Sequence, residues 1–206
     1  ESAAVKACTA DLCLPSILGA ADLIAKSFRN GGKLLLCGNG GSAADCQHMA
    51  AEFTSRLSAD FVRPGLPAIA LTTDTSFLTA YANDFDFEGI FARQIQAIGK
   101  PGDVIFGIST SGNSKNVIRA LEIAKSVGMS SIGLSGAGGG LLHAVADVCV
   151  CVPSNNTQHI QETHLAVEHI VCHLVERALF GDTGAVDWGI SNVPGGHGTK
   201  SGKYPY

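Results

Sequence analysis

Apolar residues recur at helical spacing from about Ala3 to Arg29, with Pro15 read as a break or as the first residue of a second helix. Asn30-Gly31-Gly32 ends that segment. The run Lys33 to Cys37 (KLLLC) is then almost wholly apolar, the pattern of a strand buried on both faces of a parallel sheet. The same grammar repeats along the chain. Strands are predicted at Pro67 to Thr72, Asp103 to Ile108, Ser131 to Leu134 and Val148 to Val152, and helices over Ser76 to Ile98, Asn116 to Val127 and Ile160 to Leu179. Strands alternating with helices predict an α/β fold, a doubly wound, flavodoxin-like parallel sheet flanked by helices behind an N-terminal helical segment. Residues 1–180 read as one domain. From 181 to 206 Gly, Ser, Asn and Pro are scattered without period, which predicts a poorly ordered tail with Trp188 as its docking residue.

Composition narrows the function. With 14 Lys and Arg against 18 Asp and Glu, the formal net charge is -4, which argues against a nucleic-acid-binding surface. No apolar run reads as approaching the ~20 residues of a membrane span, so a soluble, cytoplasmic chain is expected. The seven cysteines are read as free thiols, five of them in largely apolar runs, and Cys149-Val150-Cys151 as a buried structural pair and not a metal site.

Two loops sit where an open parallel sheet binds ligands, at the carboxyl ends of strands leading into helices. One is Gly38-Asn39-Gly40-Gly41-Ser42, and the other is Ser109-Thr110-Ser111-Gly112-Asn113-Ser114. Four hydroxyls in six residues at a helix N-terminus suit a phosphate monoester. Gly38-x-Gly40-x-x-Ala43 also satisfies a dinucleotide fingerprint, but the acid after the second strand is Asp74, far beyond the usual spacing of about 20 residues. A nicotinamide site is therefore not expected. His48 and Glu52, four residues apart on the helix after the glycine loop, form a workable half of a divalent-metal site. Gln161 and His169 lie at the start and middle of the last helix, and His169 and His173 make a competing pair.

In order along the chain, Gly38 to Ser42, His48, Glu52, Arg63-Pro64-Gly65-x-Pro67-Ala68, Ala82-Asn83-Asp84-Phe85, Ser109 to Ser114 and Ile160-Gln161-Glu162-x-His164 closely resemble the phosphoheptose isomerases of the SIS (sugar isomerase) family. The resemblance runs from roughly Ala20 to Phe180. It implies interconversion of sedoheptulose 7-phosphate and D-glycero-D-manno-heptose 7-phosphate through an enediolate, the first step toward surface-glycan heptoses. It further implies one zinc ion per subunit on His48, Glu52, Gln161 and His169, with Glu52 and His169 as catalytic residues. Substrate contacts would fall on Asn39, Gly40, Gly41, Ser42, Glu52, Asn83, Asp84, Ser109, Thr110, Ser111, Ser114 and Gln161, and Arg56, read as one turn beyond Glu52, matches a further active-site position. Between Pro153 and Gln161 the chain lacks an Asp that many relatives carry, so no role of that residue transfers.

Gln161 and His169 are eight residues apart, about 12 Å along a regular helix, too far for one ion. Either Gln161 precedes the regular helix or the sites are completed by different subunits. Sites shared at subunit interfaces are expected, in keeping with the homotetramers the resemblance implies and with packing through residues 1–29. The rival reading is a non-catalytic SIS protein that binds sugar phosphates or a replication initiator. The presence of both Glu52 and His169 weighs against it.

Overall fold

The structure, a computed structural model, describes residues 1–58 and 62–181. The expected tail, Trp188 included, lies outside the described residues save for Gly181. Among the described residues the order is α1 (Ser2–Arg29), β1 (Leu34–Gly38), α2 (Gly41–Thr54), β2 (Ala68–Ala70), α3 (Thr75–Asp84), α4 (Ile90–Ile98), β3 (Val104–Ser109), α5 (Lys115–Val127), β4 (Ser130–Ser135), α6 (Gly140–Val145), β5 (Val148–Cys151) and α7 (Thr157–Phe180). The five strands form one parallel sheet in the order β2-β1-β3-β4-β5, the doubly wound arrangement that the alternating pattern predicts.

Both faces of the sheet are covered, which is why KLLLC reads as continuously apolar. Leu34 and Leu36 enter a core shared with α1, α2 and α7, whereas Leu35 and Cys37 enter a second core beneath α4, α5 and α6. Strand alternation divides one pentapeptide between two cores.

Three expectations are corrected. Pro15 neither breaks nor starts a helix, since it lies inside the single 28-residue α1. The proline forfeits one helical hydrogen bond, but buried Cys13, Ile17, Ala20, Ala21, Ile24 and Ala25 hold the inner face of α1 in the first core across that point. The helix expected over Ser76 to Ile98 is split into α3 and α4, and the Asp86 carboxylate accepts from the Gly89 N–H at the join. The third concerns hydropathy: α1 is long and apolar enough, by length and composition, to cross a membrane, although its inner face is packed within the fold. The short helix α6 gave no sequence signal, because the glycine run Gly138-Gly139-Gly140 masks its start.

Candidate active site

The two ligand loops lie side by side because β1 and β3 are neighbours, with Gly38 paired to Ile108 at their carboxyl ends. Asn39 of the glycine loop and Asn116 in the first turn of α5 tie them together through two amide hydrogen bonds, at 2.9 and 2.8 Å. Gly40 has φ +56, a conformation that side chains rarely adopt, so the glycine loop can turn directly into α2.

In the hydroxyl loop, Ser109 Oγ donates to Ser114 Oγ at 2.9 Å, and Ser111 Oγ accepts from the Asn113 N–H at 3.1 Å. Gly112, at φ +66, lies so close to the Gly139 carbonyl that an added Cβ would collide with it. The loop is braced from behind by α6: Leu142 N–H donates to the Gly112 carbonyl at 2.9 Å and Leu141 N–H to Asn113 Oδ1 at 3.1 Å. The result is a set of neutral donors at the N-terminus of α5, suited to an anion by dipole and hydrogen bond. Lys115, which follows the loop, is engaged with Glu88 at 2.9 Å.

α2 begins in the glycine loop and carries His48 and Glu52 about two and three turns along it. There it meets α7. The Nε2 atoms of His48 and His169 are 2.8 Å apart, and Glu52 Oε1 is 3.7 Å from His48 Nε2. One ligand-capable atom from each of His48, Glu52 and His169 lies within 4.8 Å of the others. The second Glu52 oxygen, Oε2, is buried with no hydrogen-bond partner. Two imidazoles facing each other beside an under-satisfied carboxylate fit a divalent cation with nitrogen and oxygen preferences. A single chain makes this group, so sharing between subunits, expected from the sequence, is not what brings Glu52 and His169 together.

Gln161 is not ahead of the regular helix, because α7 starts at Thr157 with the Asn156 side chain capping the N–H groups of Gln158 and His159. Its amide crosses directly above Gly41, where any side chain would strike it, and its Nε2 donates weakly to Asp45 Oδ2 at 3.5 Å. Within one chain, then, Gln161 faces the start of α2 and not the His48–His169 pair. His173 is exposed, and it is not in the ligand group. Arg56 is exposed and lies past the end of α2, not one turn farther along it. Asn83 and Asp84 share a hydrogen bond of 2.9 Å at the exposed end of α3. Ser42 is buried in the first turn of α2.

Sequence reasoning missed several groups around this site. Arg63 is buried and donates to Glu176 Oε1 at 2.6 Å, to the Glu52 carbonyl at 2.6 Å and to the Phe53 carbonyl at 2.7 Å. It thereby caps the end of α2 that carries Glu52, and its pairing with Glu176 spans 113 positions, which no local pattern announces. Glu168, beside His169 in sequence, is fully buried with both carboxylate oxygens unpartnered. Burial first, and then the charge of Asp45, push its carboxyl up to about 8, so it is mainly protonated at neutral pH. His164 is buried with Nε2 3.2 Å from the Ser135 carbonyl, and burial drops its imidazole to about 4.

A doubly wound sheet whose strand-end loops offer neutral donors to an anion is the architecture of a sugar-phosphate-handling domain, and residues 5–136 match the family described as the SIS domain. The phosphoheptose isomerase of Roseiflexus sp. (strain RS-1) is 56% identical over 176 residues, 85% of this chain and 88% of that one. Phosphoheptose isomerase 2 of Campylobacter jejuni is 57% identical over 158 residues, 77% of this chain and 78% of its relative. Among solved structures, the phosphoheptose isomerase of Neisseria gonorrhoeae superposes with a TM-score of 0.80 at 44% identity, covering 85% of this chain and 92% of the other. That of Francisella tularensis gives 0.81 at 38% identity, covering 85% and 93%. The chain belongs to the SIS domain family and, within it, to the phosphoheptose isomerases.

Proposed function

We propose that this protein interconverts sedoheptulose 7-phosphate and D-glycero-D-manno-heptose 7-phosphate by proton transfer between adjacent carbons. The observation that carries the reading is the convergence of His48 and Glu52 on α2 with His169 on α7, where α2 leaves the glycine loop that adjoins a hydroxyl-rich loop built for a phosphate. Ser109, Thr110, Ser111 and Ser114, with the N-terminus of α5, hold the phosphate. Asn39, Gly40, Gly41, Ser42, Asn83, Asp84 and Gln161 orient the sugar chain.

Aldose-ketose exchange moves one proton between C1 and C2 while the carbonyl oxygen gains and loses negative charge. Glu52 takes the carbon-bound proton and returns it to the neighbouring carbon, passing through a cis-enediolate. His169 moves the proton on the oxygen side. A zinc ion, one per subunit, is held by His48, Glu52 and His169, and when bound it supplies the Lewis acidity that polarises the substrate carbonyl. The unpartnered Glu52 Oε2 supports this assignment, because a buried carboxylate oxygen without a donor calls for a cation.

Gln161 completes the site from a second subunit of a homotetramer. Exposed Leu14 and Leu18, four residues apart on α1, support that assembly, since they place an apolar stripe outside the fold's own core. A reaction on a soluble sugar phosphate also supports a cytoplasmic location.

The test is incubation with sedoheptulose 7-phosphate, with and without chelator, while the aldose is followed. Chelator stops conversion, added zinc restores it, and Glu52→Gln abolishes it. Full turnover by Glu52→Gln protein would remove that carboxylate from the mechanism. Mixing Glu52→Gln with Gln161→Ala chains and reassembling them tests the shared site: recovered activity supports it, and none counts against it.

A further inference from the structure

On the other side of the sheet from α2 and α7, the edge strand β5 presents two thiols to α6. Val148 and Val150 face the first core, so Cys149 and Cys151 both project to the opposite face. Their sulfurs are 3.7 Å apart, and Cys151 Sγ is 3.8 Å from His143 Nδ1. All three ligand atoms lie within 4.8 Å of one another. The sequence-based expectation of a buried structural pair is thereby corrected, because both thiols are only partly buried and His143 is exposed.

We propose that His143, Cys149 and Cys151 form a second metal site, selective for a thiophilic divalent ion such as Zn²⁺ or Cd²⁺ and independent of the His48 group. The spacing supports this. Tetrahedral bonds of about 2.3 Å to sulfur and about 2.05 Å to nitrogen put two ligand sulfurs about 3.8 Å apart, and a sulfur and a nitrogen about 3.6 Å apart. The thiol pair is already at that separation, and His143 Nδ1 is within a few tenths of an ångström of its own separation from Cys151 Sγ. Two glycines keep the space open. A Cβ on Gly133 would come within 3.0 Å of Cys149 Sγ, and one on Gly139 within 2.9 Å of Cys151 Sγ and 2.5 Å of His143 Cβ. Two thiolates and one imidazole leave a fourth position for water at the exposed edge, a donor set that favours zinc-like ions over hard cations. An ion there would clamp α6 to β5, and α6 is the element whose N–H groups brace the hydroxyl loop.

The test is Cd²⁺ titration of the full, reduced chain, read by thiolate-to-metal charge-transfer absorption in the ultraviolet. This readout does not depend on whether the chain isomerises sugar phosphates. The expected result is absorption equivalent to two thiolates per chain, saturating with one Cd²⁺. It persists in His48→Ala and in Cys8→Ser, and it is lost in the Cys149→Ser/Cys151→Ser double variant. His143→Ala, a change at an exposed side chain, keeps the fold and weakens Cd²⁺ binding at least about tenfold if one of three protein ligands is lost. No absorption in the unaltered chain, absorption that survives the double serine variant, its loss in Cys8→Ser, or unchanged affinity in His143→Ala would each overturn the proposal.

Discussion

His48 and His169 stand 121 positions apart in the chain, yet their Nε2 atoms lie 2.8 Å from each other where α2 crosses α7. Neutral imidazoles so placed can share one proton, and with Glu52 they can share one cation. Residues that act through a single bound ion fail together. His48→Ala and His169→Ala are each expected to lower bound zinc and kcat/KM by about 10²-fold or more, and the double variant by no more than the worse single one. Metal analysis and steady-state kinetics on the three variants check this, and strictly additive losses would show that the two rings act separately.

Glu52 is held from behind. The Arg63 guanidinium fills the C-terminal end of α2 and satisfies the Glu52 and Phe53 carbonyls while pairing with buried Glu176. Arg63→Ala leaves the Glu176 carboxylate buried without its partner, and a loss of about 3–5 kcal/mol of stability is expected. Arg63→Lys keeps the charge but cannot reproduce the planar fork, so it recovers only part of the loss. Urea unfolding of the two variants is the measurement. Near-normal stability in Arg63→Ala would mean that the end of α2 is held by something else.

How far the chain could be read depends on how local each signal is. The sheet was legible because KLLLC and its successors are short apolar runs alternating with helical patterns, and the hydroxyl loop was legible because its four hydroxyls fall within six residues. His48 and Glu52 were visible as an i,i+4 pair, but their meeting with His169 came from family resemblance, since nothing in local spacing says that α2 and α7 cross there. Arg63 was legible only as the first residue of a family-like motif, without its role, and Glu176, Glu168 and His143 had no legible signal at all. Arg63, Glu176 and His143 acquire their roles from partners on other elements and Glu168 from its burial, and an arginine ahead of a Pro-Gly pair looks like any surface residue until its guanidinium is seen inside. Pro15 misled for the opposite reason, because a strong local rule was overridden by burial along α1.

The hydroxyl loop rests on α6 through a backbone approach that leaves no room for a side chain. At Gly112 the φ is +66 and the Gly139 carbonyl occupies the space of any Cβ. Gly112→Ala therefore combines backbone strain with a collision between main chains, neither of which a rotamer change relieves. The expected effect falls on phosphate binding, with a rise in KM for the sugar phosphate of at least about tenfold and a smaller change in kcat, as loss of uniform binding requires. Gly41→Ala differs, because the obstacle there is the movable Gln161 amide. It should leave stability nearly unchanged while displacing Gln161. Kinetics and thermal unfolding of the two variants, side by side, distinguish a rigid obstacle from a yielding one.

Acid sensitivity should trace in part to His164, whose ring lies wholly inside the fold against the Ser135 carbonyl. Burial lowers its folded value to about 4 from an ordinary 6.5. Between those values the unfolded chain binds a proton that the folded chain refuses, so unfolding takes up protons and stability rises with pH across that window. Above about pH 6.5 both states carry neutral imidazole and the effect vanishes, whereas at pH 4 it reaches at most about 3 kcal/mol of destabilisation. His164→Gln removes the titration, though it sacrifices some packing, so its stability should be lower at pH 7 and flatter from pH 7 to pH 4 than that of the unaltered chain. Urea denaturation in steps across that range gives the two slopes. If they are equal, the buried imidazole is not the group that takes up the proton.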